Sequence, residues 1–187
     1  MILVTVGSQA PFDRLIRAAD DWARTRSRSD VFAQIASGSY VPMHMQYSRF
    51  LNPPEFKEKV QQAGVIVAHA GMGSIIMALE LGKPIVVMPR RGHLLETRND
   101  HQVAAAKEFS SRGLVVVAQD ENELPEKIDY AGSMRVEDIG KIDRGAPQAL
   151  ITTIRSFVDR SLAAATSKES RQTRLTLLGR VFHQEVD

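Results

Sequence analysis

Residues 64–102 read GVIVAHAGMGSIIMALELGKPIVVMPRRGHLLETRNDHQ, and the fold follows from this stretch. Two short apolar runs, Val65 to Ala68 and Pro84 to Met88, are rich in β-branched residues and bounded by Gly or Pro. That is the pattern of parallel strands covered on both faces. Between them lies a glycine-punctuated turn, His69-Ala70-Gly71-Met72-Gly73-Ser74, and then a helix. The two glycines allow close approach of a ligand to the backbone, and a helix beginning near Ser74 aims free N–H groups at the same point. A phosphate-bearing ligand is the expected guest. A polar loop after the second strand closes on His101-Gln102.

Working outward, Ile2 to Val6 reads as a first buried strand that starts at once, leaving no room for a preceding domain. Gly7-Ser8 turns the chain into a helix with Phe12, Leu15, Ile16, Ala19, Trp22 and Ala23 on one face. Val31 to Ala36 is a second strand, and a short third strand is expected around Met43 to Tyr47. Pro53-Pro54 opens a helix through Gln62. Beyond the central stretch, Val103 to Ser111 reads as a helix, Leu114 to Ala118 as a strand, and Glu121 to Ile128 as a short helix. Tyr130 to Ala146 reads as loop, and Pro147 starts a helix with Leu150, Ile151, Ile154, Phe157, Val158 and Leu162 on one face. Strands alternating with helices predict a Rossmann-like parallel α/β sheet flanked by helices over residues 1–163. Residues 164–187 read as a helical tail, either docking on a partner or folded back.

Composition narrows the function. The chain has 187 residues, a net charge of +2 and no cysteine. The charge is too mild to argue for nucleic acid, no nucleic-acid partner is expected, and no disulfide or thiolate metal site can form. A reducing, cytoplasmic setting fits. The run MILVTVGSQ lacks the basic leader and length of a signal peptide, and no segment approaches the roughly 20 apolar residues of a membrane span. No Asp-x-Asp pair and no His pair at zinc spacing occurs, so no metal cofactor is expected. The dinucleotide fingerprint GxGxxG also fails, because Ile76 stands where its last glycine would be.

The motifs VTVGS (Val4–Ser8), FDRLI (Phe12–Ile16), HAGMGSII (His69–Ile76), LGKPIVVMPRR (Leu81–Arg91) and NDHQ (Asn99–Gln102) occur in this order over about the first two-thirds of the chain. Together they resemble the glycosyltransferase family 28 C-terminal domain, the donor-binding half of GT-B enzymes. The likeness is strongest to short members that act as the catalytic subunit of a two-piece UDP-sugar transferase, in dolichol-linked oligosaccharide or bacterial exopolysaccharide synthesis. The resemblance implies that His69, Gly71, Gly73 and Ser74 hold the diphosphate of a UDP-sugar. Asp100, His101 and Gln102 would contact the donor sugar, and Gly7-Ser8 would face the cleft where donor and acceptor meet. It also implies a membrane-anchored partner subunit that binds a lipid-linked saccharide acceptor and supplies the general base, with this chain peripheral at the inner face of the membrane through that partner. Many family members carry a ribose-binding Glu where this chain has Met77. Either Glu80 or Glu96 takes that role, with Glu96, in the loop, favoured, or the nucleotide is held less tightly. Arg90, Arg91 and Arg98 add positive charge that suits a hexuronic acid donor. Two other functions fit the same residues: a nucleotide-sugar-binding module without activity, and a self-sufficient UDP-sugar epimerase or hydrolase.

Overall fold

The computed structural model of the chain describes residues 1–139 and, beyond them, 152, 155 and 156. Six strands form one parallel sheet: β1 (Ile2–Thr5), β2 (Val31–Gln34), β3 (Gln46–Ser48), β4 (Val65–His69), β5 (Ile85–Met88) and β6 (Val116–Val117), in the order β3-β2-β1-β4-β5-β6. Within residues 1–139 they are accompanied by the α-helices α1 (Asp13–Thr25), α2 (Pro53–Gln62), α3 (Met72–Glu80), α4 (His101–Ser111) and α5 (Leu124–Ser133).

The period-two alternation of strand side chains explains the layering. Ile2, Val4, Val65, Val67, Val86 and Met88 face α1 and α5 and pack with Phe12, Leu15, Ile16, Trp22, Leu124 and Ile128. Leu3, Ile66, Ala68, Ile85 and Val87 face the other way and pack with Val60 of α2, Ile75 and Leu79 of α3 and Ala106 of α4. Both faces are buried, which is why the strands read as unbroken apolar runs.

The chain runs outward from β1 through β2 to β3, then returns and runs the other way through β4, β5 and β6. The reversal places a crevice at the carboxyl ends of β1 and β4, the position where open α/β sheets take ligands. Local devices fix the flanking loops. Asp20, 1 % exposed on α1, accepts from Tyr40 Oη (2.8 Å), the Met43 N–H (3.0 Å) and the His44 N–H (2.8 Å), so it fastens the long β2–β3 connection to the helix. Asn52 and Glu55 form a reciprocal capping box at the start of α2, each side chain accepting from the other's backbone N–H at 2.9 Å.

Some boundaries differ from the sequence reading. α5 continues past Ile128 to Ser133, because Leu124, Ile128 and Ala131 keep a buried stripe going beneath exposed Tyr130. A 3-10 turn, Val136–Asp138, follows where loop was expected. α4 begins at His101 rather than Val103, and β6 pairs over two residues only. Of the helix expected from Pro147 only Thr152, Arg155 and Ser156 are described, and they are helical; the domain boundary at 163 and the tail 164–187 lie outside the described residues. Among the described residues no helix is long and apolar enough to cross a membrane.

Candidate functional site

A cleft of 620 Å³ lies at the switch point, over the carboxyl ends of β1, β2, β4 and β5. It brings together nine of the residues singled out from sequence: Gly7, Ser8, His69, Gly71, Gly73, Ser74, Arg90, His101 and Gln102. Its remaining wall is largely apolar, formed by Leu51, Pro53, Phe56, Met72 and Met77, with Gln9 and Gln34.

The helix start is built as an anion site requires. Gly71 is the N-cap of α3 in extended geometry, and Ile75 makes the first helical bond, to the Gly71 carbonyl at 3.2 Å. The N–H groups of Met72, Gly73 and Ser74 therefore precede the helical ladder and open toward the cleft. A Cβ added at Gly73 would meet no atom within 4 Å, so the space above the helix start is open.

Gly71 and Gly7 are glycine for another reason. A Cβ on Gly71 would stand 2.1 Å from His69 Nε2, and one on Gly7 2.8 Å from His69 Cε1. The imidazole is wedged between the two strand-to-helix turns, and the glycines make room for it as well as for any ligand. Gly7 also has φ +76°, a left-handed conformation that glycine adopts without the strain a Cβ would bring.

Burial pushes the His69 pKa down to about 4. The positive charge of Arg90 adds to this, and the Thr5 backbone opposes it. Nδ1 is buried and has no hydrogen-bond partner among the described residues. His69 is thus neutral at pH 7, and a pH dependence follows. Below about pH 6.5 the unfolded chain takes up a proton that the native chain refuses until about pH 4. Stability present above pH 6.5 is therefore lost as pH falls through that window, by an amount on the order of 3 kcal/mol. Urea melts at pH 7 and pH 4.5 should show this difference shrink in His69→Gln. An unchanged pH slope in that variant would mean that the ring titrates normally.

The positive charge of Arg90 lies beneath the cleft rather than reaching across it. Arg90 is 6 % exposed, and its guanidinium donates to the Val6 carbonyl (2.9 Å) and the Ala10 carbonyl (2.6 Å), pinning the β1–α1 loop over Phe12. Burial lowers its pKa, but an arginine stays charged. Gln102 is also 6 % exposed. Its Oε1 accepts from the Arg90 N–H at 3.2 Å, leaving Nε2 free for a ligand. His101 is exposed, and Asn99 Oδ1 accepts from both its backbone N–H and its Nδ1. That contact occupies Nδ1 and leaves Nε2 without a partner among the described residues.

The structure does not bring Glu96 or Asp100 to the cleft. Glu96 forms a two-pronged pair with Arg14 (2.8 and 2.8 Å), and its Oε2 also accepts from the Arg91 N–H at 2.9 Å. Its acceptors are taken up in tying the post-β5 loop to α1, so a ribose contact would need that pair to break. Asp100 accepts from the Gly92 N–H at 2.8 Å and closes the same loop. Arg91 donates to the Gln119 carbonyl at 2.7 Å, and neither it nor Arg98 lines the cleft. Sequence reasoning passed over Gln34, Leu51 and Phe56. The one available signal was a polar residue, Gln34, at the end of an otherwise apolar strand. Among the described residues no three His, Asp or Glu side chains are grouped as a metal ion requires.

Comparison with known proteins agrees with this geometry. The chain matches the glycosyltransferase family 28 C-terminal domain over residues 1–169. It is 32 % identical over 122 residues to the human UDP-N-acetylglucosamine transferase subunit ALG13, covering 60 % of this chain and 10 % of that protein. The subunit of the same name from Yarrowia lipolytica is 28 % identical over 130 residues, covering 62 % and 64 %. The chain thus spans only a tenth of the human relative. Among solved structures, the calicheamicin glycosyltransferase CalG4 superposes with a TM-score of 0.56 at 17 % identity, over 86 % of this chain and 43 % of that one. The solution structure of ALG13 gives 0.52 at 17 % identity, over 75 % and 87 %. At such identities the superpositions speak for the fold alone. The match over residues 1–169 goes further: the chain belongs to the glycosyltransferase family 28 C-terminal domain family.

Proposed function

We propose that the chain is the donor-binding, catalytic subunit of a split inverting glycosyltransferase that moves a sugar from a UDP-sugar to a lipid-linked saccharide. The observation that carries this reading is the open start of α3, with three free N–H groups over the sheet's switch point and nothing filling the space above Gly73. The diphosphate binds there, and the N–H groups stabilise the charge that develops on the departing UDP. Ser74 adds its hydroxyl, and neutral His69 sits beside the phosphates as a polar wall. The sugar lies toward β5, where Gln102 Nε2 donates to a hydroxyl oxygen and His101 Nε2 accepts from a hydroxyl. The apolar wall of Leu51, Pro53 and Phe56 receives the nucleoside.

Among the described residues no carboxylate lines the cleft, and this favours a general base on a second, membrane-anchored, acceptor-binding subunit. The chain then works at the cytoplasmic face of the membrane through that partner. Its sequence relatives are named as subunits of a UDP-N-acetylglucosamine transferase, which puts that sugar first among UDP-glucuronate, UDP-glucose, UDP-galactose and UDP-N-acetylglucosamine. Glycosyl transfer by this route needs no bound metal, since the helix start carries the phosphate charge.

The test is UDP release from each UDP-sugar by the purified chain, with and without the acceptor-binding subunit and its lipid acceptor. Release only when the partner and acceptor are both present is expected. Turnover by the chain alone, without acceptor, would instead mark a UDP-sugar hydrolase or epimerase.

A further inference from the structure

One buried donor at the far wall of the cleft has no role in the account above. Gln34, the last residue of β2, is 4 % exposed and lines the cleft. Thr5 Oγ1 lies 2.8 Å from Gln34 Oε1, and the same hydroxyl accepts from the Gly7 N–H at 3.1 Å. Thr5 is fully buried. With a lone pair engaged by Gly7, the hydroxyl hydrogen finds its acceptor in Gln34 Oε1; a flipped amide would strand it in a site without water. The carboxamide is therefore held with Nε2 as its free end. That nitrogen has no hydrogen bond to another described residue and is not among the enclosed unpartnered atoms, so it opens into the cleft.

Its position says what it meets. β2 stands two strand spacings from β4, about 10 Å from the helix start that takes the diphosphate. The direction is opposite to Gln102, toward Leu51, Pro53 and Phe56. We infer that Gln34 reads the nucleobase, donating from Nε2 to the C4 carbonyl of a uracil-type base, the position where cytosine carries an amine, with Thr5 and Gly7 as the relay that fixes its orientation. An end that can only donate accepts a base edge bearing a carbonyl and rejects one bearing an amine, so the residue selects uridine over cytidine nucleotides.

This assignment rests on the nucleoside-diphosphate reading of the cleft, and titration calorimetry with UDP and CDP separates the two. The full chain should prefer UDP by roughly tenfold. Gln34→Glu replaces the donor by an acceptor in the same shape, and should bring the UDP:CDP ratio to one or below. Thr5→Val frees the amide to turn and should lower the ratio a fewfold; it exchanges only the hydroxyl for a methyl of similar size, so it decides the question if Gln34→Glu does not fold. An unchanged ratio in the variants overturns the role of Gln34 and leaves the diphosphate site standing. If the unmodified chain binds neither nucleotide, the reading of the cleft fails, and this inference fails with it.

Discussion

Gly73→Asp will abolish stabilisation by UDP while raising the melting temperature of the free protein. Gly73 is the second residue of α3, and a Cβ there finds open space. Replacing a helical glycine by aspartate gains about 0.1–0.3 kcal/mol in helix propensity, against about 0.5–1 kcal/mol for alanine. An acid in the first turn, which α3 now lacks, adds about 0.3–1 kcal/mol against the helix dipole. For a chain of this size the sum amounts to a rise of roughly 1–5 °C. The same carboxylate projects into the space assigned to a doubly negative diphosphate. Each charge pair at ~4 Å costs about 1–4 kcal/mol, depending on local screening, so affinity should fall by a hundredfold or more. Gly73→Ala keeps the entropy gain without the charge and should lose much less binding. Thermal shift with and without UDP measures both effects in one experiment. If Gly73→Asp binds UDP as the parent does, the phosphates sit elsewhere and the proposed function loses its central contact.

The opposite signs expected at two neighbouring glycines show what sequence can and cannot reveal. The turn His69–Ser74 was legible because its glycines and its place between two apolar runs are local facts. The division of labour was not. Gly73 faces open space, whereas Gly71 faces the His69 ring, and only the relative placement of β1 and β4 brings Gly7 to the same ring. The layered sheet was legible for a similar reason, since Val65–Ala68 and Ile85–Met88 carry their burial in their composition. The end of α5 was harder, because Tyr130 and Gly132 interrupt the pattern while Ala131 continues the buried face.

The charged residues were the least legible. A loop that reads RRGHLLETRND promises cations and acids near a substrate, but Glu96 meets Arg14, 82 positions away, and Arg90 meets the Val6 carbonyl, 84 positions away. Ion pairs and buried guanidinium groups depend on partners that no local window contains. Spending these charges on the scaffold has a consequence for function. Arg14 and Glu96 clamp the loop, Asp100 closes it onto Gly92, and the backbone of Arg90 orients Gln102. The side chains left facing the cleft are neutral ones, apart from Arg90 beneath it. The site thus depends on backbone N–H groups and amides that are held in place before a ligand arrives.

Gly71→Ala should cost about 3 kcal/mol of folding stability, and most of that cost should disappear when His69 is also removed. The backbone at Gly71, φ −94° and ψ 134°, is ordinary extended geometry that alanine adopts without strain. The penalty is therefore contact alone: the new methyl would lie 2.1 Å from Nε2, 2.7 Å from Cε1 and 2.9 Å from Cδ2 of His69. The ring has little room to retreat, because its other side is against Gly7, and overpacking of a confined site costs about 1–3 kcal/mol or more. In His69→Ala the methyl gains the space that the ring gave up, so the double mutant should show a coupling of about 2 kcal/mol in denaturant melts. Gly7→Ala should behave differently. It combines a milder clash with a left-handed φ of +76°, and the backbone part of its cost, about 1–2 kcal/mol, should survive removal of the ring. If Gly71→Ala costs the same with and without His69, the glycine serves ligand approach alone. If the coupling appears, the imidazole is the spacer that joins the two turns and sets the width of the crevice where the diphosphate is proposed to bind.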